Sequence, residues 1–184
     1  MNKFAVFFPG IGYHYDKPLL YNARKLALEA GYEKYINVAY SFQAQNLRGN
    51  SAKIREAVDI LLQQTEAALC NVQWAAYDDI LFVSKSIGTA VAVSYAQRHT
   101  LECRHILYTP LEESFDNTPK NAIAFSGTSD PWVSQEQLTE LCKKAAVQLT
   151  TIDGANHSLE TSDALKNIDI LKQVMTESKN FIFL

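Results

Sequence analysis

The stretch Ile80-Leu81-Phe82-Val83-Ser84-Lys85-Ser86-Ile87-Gly88-Thr89-Ala90 decides the fold. Ile80 to Val83 is an unbroken apolar run, short enough for a strand and suited to one buried on both faces. Small residues follow at once, and the positions from Ala90 to Gln97 predict a helix. A strand that turns straight into a helix through a small-residue corner is the unit of an α/β sheet. At the corner stands Ser86, flanked two residues before and after by Ser84 and Gly88. Bulkier residues there would clash where the helix crosses the strand.

Outward from this unit, strands and helices alternate to both ends. Phe4 to Phe8 is a second apolar run, stopped by Pro9-Gly10. Pro18 suits a helix first turn, Leu19, Ala23, Leu26, Ala27 and Ala30 follow at helical spacing, and Gly31 supplies the stop. Tyr35 to Phe42 is rich in aromatic and β-branched residues and predicts a strand. After Asn50-Ser51, an apolar stripe from Ile54 through Leu61 and Leu69 to Val72 predicts the longest helix. Arg104 to Tyr108, Ala122 to Phe125 and Gln148 to Ile152 predict three more strands. Ser134 with Gln137 resembles a capping box opening a further helix, and a last helix is expected around Leu165 to Met175. Six strands alternating with helices predict a single three-layer α/β domain over residues 1–184, with a mainly parallel sheet covered on both faces.

Composition excludes several classes. Of the 184 residues 47% are hydrophobic and 20% charged, which is enough for a core and unlike a disordered chain. Lys plus Arg number 17 against 20 Asp plus Glu, a net charge of −3 with no basic run, so no nucleic-acid partner is expected. No apolar stretch approaches a membrane span, the opening segment is too short for a signal peptide, and no membrane partner is expected. Three widely spaced cysteines, Cys70, Cys103 and Cys142, fit neither a disulfide framework nor a metal motif. A cytoplasmic protein without metal or cofactor is the expectation, its cysteines packing as small apolar residues.

Chemistry in such sheets gathers beyond the C-terminal strand ends. Ser84-Lys85-Ser86-Ile87-Gly88 reads there as a nucleophile elbow with Ser84 in place of the usual first glycine. Alone, the string is as readily a polar helix cap. Two further segments change its weight. Phe125-Ser126-Gly127-Thr128-Ser129-Asp130-Pro131-Trp132-Val133 puts Asp130 just after one strand, and Ile152-Asp153-Gly154-Ala155-Asn156-His157-Ser158 puts His157 just after another. A hydroxyl nucleophile, a carboxylate and an imidazole thus follow three strands on one edge, in the order Ser, Asp, His. Acyl transfer needs all three: the imidazole takes and returns the hydroxyl proton, and the carboxylate fixes its tautomer.

On these three motifs the chain resembles the α/β-hydrolase superfamily, from Phe4 to the terminal helix. The resemblance implies a small lidless serine hydrolase or esterase with Ser86 as nucleophile, Asp130 as triad acid and His157 as base. It also implies that the first strand lies between the second and third. The loop Pro9-Gly10-Ile11-Gly12-Tyr13-His14 resembles the family's oxyanion loop with Pro9 where a histidine is usual. The amides of Ile11 and Ile87 would then hold the oxyanion, each such donor commonly supplying about 3 kcal/mol in the transition state. The segment Thr109 to Pro119 between the adjacent strands is only 11 residues long, so no cap domain fits and an open site is expected.

Tyr13, His14 and Trp132 are candidate contacts to a small-molecule acyl substrate, and Lys85 a candidate partner for an acidic group on it or a structurally paired lysine. His99 and His105 are expected to be structural, and Glu112 and Glu113 are lesser candidates for the acid. Two other readings stay open: a flavodoxin-like ligand-binding module, which would want a phosphate-holding loop after the first strand, and an inactive hydrolase relative used for protein interaction. Oligomeric state is open.

Overall fold

In the computed structural model, which describes residues 1–43 and 46–184, six strands form one sheet in the order β2-β1-β3-β4-β5-β6, every neighbouring pair parallel. They are β1 (Lys3–Phe8), β2 (Lys34–Asn37), β3 (Asp79–Lys85), β4 (Arg104–Tyr108), β5 (Ala122–Gly127) and β6 (Gln148–Ile152). The helices are α1 (Pro18–Glu29), α2 (Ser51–Leu69), α3 (Ile87–Arg98), α4 (Gln135–Lys144) and α5 (Ala164–Ile182). Strand order reverses between β1 and β3, so the loops after these two strands face each other.

Alternation along the strands divides the core. Phe4, Val6 and Phe8 of β1 join Phe82 of β3 and the buried sides of α2, α3 and α4. Ala5 and Phe7, with Leu81 and Val83, pack against α1 and α5 on the opposite face. Each strand of the middle is therefore apolar on both sides, which is why the sequence shows runs there rather than alternation.

The second strand is shorter than Tyr35 to Phe42. It leaves the sheet at Asn37 after a last backbone bond from Val38 to Phe7, because β1 ends at Phe8 and Pro9 has no amide to continue a ladder. Tyr40 and Phe42 instead pack on the core beside α2, so their aromatic content reflects burial and not pairing. The third helix starts at Ile87, three residues earlier than expected, directly off Ser86. The last helix runs seven residues beyond Met175, with Val174, Ser178, Phe181 and Ile182 buried at helical spacing. Intervening Lys and Glu residues obscure that stripe in the sequence.

Of the cysteines, Cys103 and Cys142 are buried, and burial pushes both thiols up to about 12, whereas Cys70 is exposed just after α2. Among the described residues no helix is long and apolar enough to cross a membrane.

Candidate active site

The corner between β3 and α3 is built from close contacts. Ser86 has φ 55° and ψ −130°, a left-handed conformation that a non-glycine residue holds only when its surroundings impose it. Gly88 lets the start of α3 lie against the end of β1: a Cβ there would lie 2.7 Å from the Phe8 carbonyl oxygen and overlap that of Pro9. Ser84, the departure from glycine, is accommodated in the core, its buried hydroxyl donating to the Ile106 carbonyl on β4 at 3.1 Å. Ser86 makes no side-chain cap to α3. Its Oγ is turned the other way, 2.7 Å from Nε2 of His157.

His157 and Asp130 meet because the loops after β5 and β6 are packed tightly. A Cβ on Gly127 would overlap the Ala155 carbonyl. The backbone then links Ser129 to Ala155 at 2.9 Å and Thr128 to Ile152 at 3.0 Å. Asp130 Oδ2 lies 2.7 Å from His157 Nδ1, and Oδ1 accepts the Trp132 amide at 2.9 Å. A carboxylate only accepts, so Nδ1–H donates to it and Nε2 is left to accept the Ser86 hydroxyl proton. The carboxylate side chain is 2% exposed and the imidazole 19%, which keeps this chain of bonds largely out of water. Burial lowers the His157 pKa below its ordinary value, with Lys85 acting the same way and Asp130 opposing both. Trp132 stacks on the imidazole, ring centroids 5.2 Å apart.

The loop after β1 folds back on itself through two backbone bonds between Gly10 and Tyr13, with Gly12 at φ 77°. A Cβ on Gly10 would stand 3.1 Å from that of Ser86, so the turn lies against the elbow. Among the described residues, the backbone bonds made by loops and caps include none donated by the amides of Ile11 or Ile87. Both residues line a groove of about 390 Å³ together with Ser86, His157 and Trp132.

Two expected substrate contacts lie elsewhere. Tyr13 is buried beneath the turn, where its hydroxyl accepts the Leu19 amide at 3.1 Å, and it does not reach the groove. His14 is exposed, its Nδ1 accepting the Asp16 amide, and it borders a separate cavity with Tyr15, Tyr40 and Phe42. Both corrections have one cause: the tight turn shows the groove only its tip and carries the following residues away. Glu113 is likewise occupied, accepting from Ser51 at the start of α2 at 2.7 Å. His99 bonds Glu66 and His105 lies buried in β4.

The rest of the groove wall comes from Asn46, Leu47, Arg48, Ile54 and Leu111. Sequence reading missed these residues, because nothing in the pattern of 46–48 marks it as folding over the elbow. Between β4 and β5 there is only a single 3-10 turn, Glu112–Phe115, so nothing caps the site from that side.

A family model described as an alpha/beta hydrolase domain matches residues 3–183, and the chain belongs to this family. Solved structures share its fold at low identity. An esterase from Pyrococcus furiosus superposes with a TM-score of 0.68 at 14% identity, over 98% of this chain and 82% of that one. An alpha-beta serine hydrolase homologue from Coxiella burnetii gives 0.66 at 16%, over 96% and 84%. A serine hydrolase without lid from Xanthomonas campestris gives 0.60 at 12%, over 97% and 82%. No curated protein matches the chain. The family match sets aside the flavodoxin-like reading.

Proposed function

We propose that the protein is a serine hydrolase that cleaves a carboxylic ester of modest size through an acyl-enzyme. The observation that carries this reading is the unbroken chain Ser86 Oγ, His157 Nε2, His157 Nδ1, Asp130 Oδ2, with 2.7 Å at each of its two hydrogen bonds. A structural serine at a helix start would spend its hydroxyl on the helix, and Ser86 does not.

In this mechanism Ser86 Oγ attacks the ester carbonyl as its proton passes to Nε2. The carbonyl oxygen becomes an oxyanion in reach of the Ile11 and Ile87 amides, where the start of α3 also favours negative charge. Collapse expels the alcohol, which takes the proton from Nε2. Water then loses a proton to Nε2, attacks the acyl-enzyme, and restores Ser86 on release of the acid. Asp130 holds the ring and stabilises the imidazolium without itself becoming protonated. The groove walls from Ile11, Leu47, Ile54, Ile87 and Leu111 suit an apolar acyl or alcohol portion.

Purified protein should hydrolyse short p-nitrophenyl esters and react with a fluorophosphonate probe at Ser86. Ser86→Ala should abolish both while the circular dichroism spectrum stays unchanged, and His157→Ala should lose the label. A wild-type protein that neither turns over esters nor labels would favour the inactive relative used for protein interaction.

A further inference from the structure

The groove over Ser86 holds a cation that the mechanism above does not use. Arg48 lines it together with Ser86 and His157, and among the described residues no Asp or Glu does so. The chain has five arginines, and four of them are paired with a carboxylate: Arg24 with Asp16, Arg55 with Asp116, Arg98 with Glu66 and Arg104 with Asp79. Arg48 is the fifth, and among the described residues no carboxylate lies within 4.0 Å of its guanidinium. Glu113, which faces the start of α2, is taken by Ser51.

The backbone holds Arg48 on that wall. Leu47 is buried in the core cluster with Ile54 and Leu111, and the Asn50 amide donates to the Leu47 carbonyl at 3.0 Å. The Asn50 side chain caps α2 by accepting the Lys53 amide at 3.0 Å. Arg48 and Gly49 are therefore the two central residues of a turn pinned at both ends, with Gly49 supplying a φ of 75°. Leu47, Ile54 and Leu111 line the groove beside it, and next to such apolar surface an ion pair is weakened less than in open water. The other cation near the elbow is Lys85, which the sequence offered as a partner for an acidic group. It shares a strand face with Leu81 and Val83, is 1% exposed, donates to Thr109 Oγ1 at 2.5 Å and does not line the groove.

We propose that Arg48 sets substrate choice: the ester taken by this groove also carries a free, ionised carboxylate, which the guanidinium holds while Ser86 attacks the ester carbonyl. The proposal rests on the hydrolase reading and adds to it a substrate class, the esters of dicarboxylic or hydroxycarboxylic acids. A guanidinium presents paired N–H donors whose spacing matches the two oxygens of a carboxylate. The apolar wall covers the carbon chain between the two groups, and about 390 Å³ is room for a small molecule of this kind. The free carboxylate keeps its charge throughout the reaction, so its contact is present before and during attack and acts mainly on KM.

Two pairs of esters test this. Mono-p-nitrophenyl adipate and p-nitrophenyl hexanoate differ by a carboxylate against a methyl group at the end of the acyl portion. Para-acetoxybenzoate and phenyl acetate place the same difference in the alcohol portion. For the pair that matches the natural substrate, the ratio of kcat/KM, charged over neutral, should fall by about tenfold in Arg48→Gln, chiefly through KM. It should fall further in Arg48→Glu and be partly kept in Arg48→Lys, and in wild type it should shrink as salt rises. A ratio that is the same in wild type and Arg48→Gln for both pairs overturns the proposal, since a structural role would lower charged and neutral rates alike. Binding is read apart from turnover in Ser86→Ala, by nuclear magnetic resonance of the Arg48 Nε–H, assigned by its loss when Arg48→Gln is added. Monomethyl adipate or para-acetoxybenzoate should shift that signal, and methyl hexanoate and phenyl acetate should not. The expected shift, in a protein whose wild type turns over no ester, sinks the hydrolase reading and leaves the carboxylate site standing. No shift with either charged ester overturns the site whatever the turnover.

Discussion

Ser86 takes a backbone conformation that most residues avoid, at a corner where Gly88 packs bare backbone against the end of β1. Gly88→Ala would press a methyl group into the carbonyls of Phe8 and Pro9, neither of which can withdraw without breaking β1 from its turn. A destabilisation of about 2 to 4 kcal/mol is expected in chemical denaturation, with activity lost alongside, as for overpacking against rigid backbone. The same geometry explains what could be read from the sequence at this scale. Small residues two either side of a serine are legible because a crossing helix demands them. That Tyr13 serves the Leu19 amide and not a substrate is illegible, since it follows from which way a four-residue turn faces.

At the scale of elements, the Ser86–His157–Asp130 cluster is a meeting of loops after β3, β5 and β6, brought together by sheet order and by the bare backbone of Gly127. The edge on which the three groups emerge was readable, because parallel crossovers bring every strand out on the same side, whereas the order of the strands was only what the family resemblance implied. The wall formed by Asn46, Leu47 and Arg48 was not readable, because no periodic pattern in 46–48 fixes where these residues lie. Asp130→Asn tests the link between two of these loops. The amide retains the shape and a bond to the ring but permits the wrong tautomer, with Nε2 carrying the proton that Ser86 must give up. A fall in kcat of about three to four orders of magnitude is expected, with a nearly unchanged melting temperature.

For the whole molecule, the cost of burying polar groups sets the response to pH. His105 sits in the core of β4 with Nε2 3.3 Å from the Cys103 sulfur and, among the described residues, no partner for Nδ1. Burial drives its pKa down to about 4 from 6.5. Between those values the unfolded chain binds the proton and the folded one does not, so stability rises with pH through this window. The stability His105 contributes is complete above about 6.5 and lost as pH falls through about 4. Denaturant midpoints measured from pH 7 down to 4 should decline in wild type and decline less in His105→Phe, whose ring places nothing titratable in the same space.

The edge of the sheet opposite the triad is stitched shut. There Arg104 holds both Asp79 and the Tyr32 hydroxyl and donates to the carbonyls of Phe181 and Ile182 at the end of α5. Polar side chains at that end join three distant parts of the chain, while at the other Ser86 and His157 face the groove. Saturation mutagenesis scored separately for abundance and for turnover should split the protein into two poles. Changes around Arg104 would deplete the cell of protein, and changes in the turn tips near Ile11 and Trp132 would alter what is processed without altering how much protein survives.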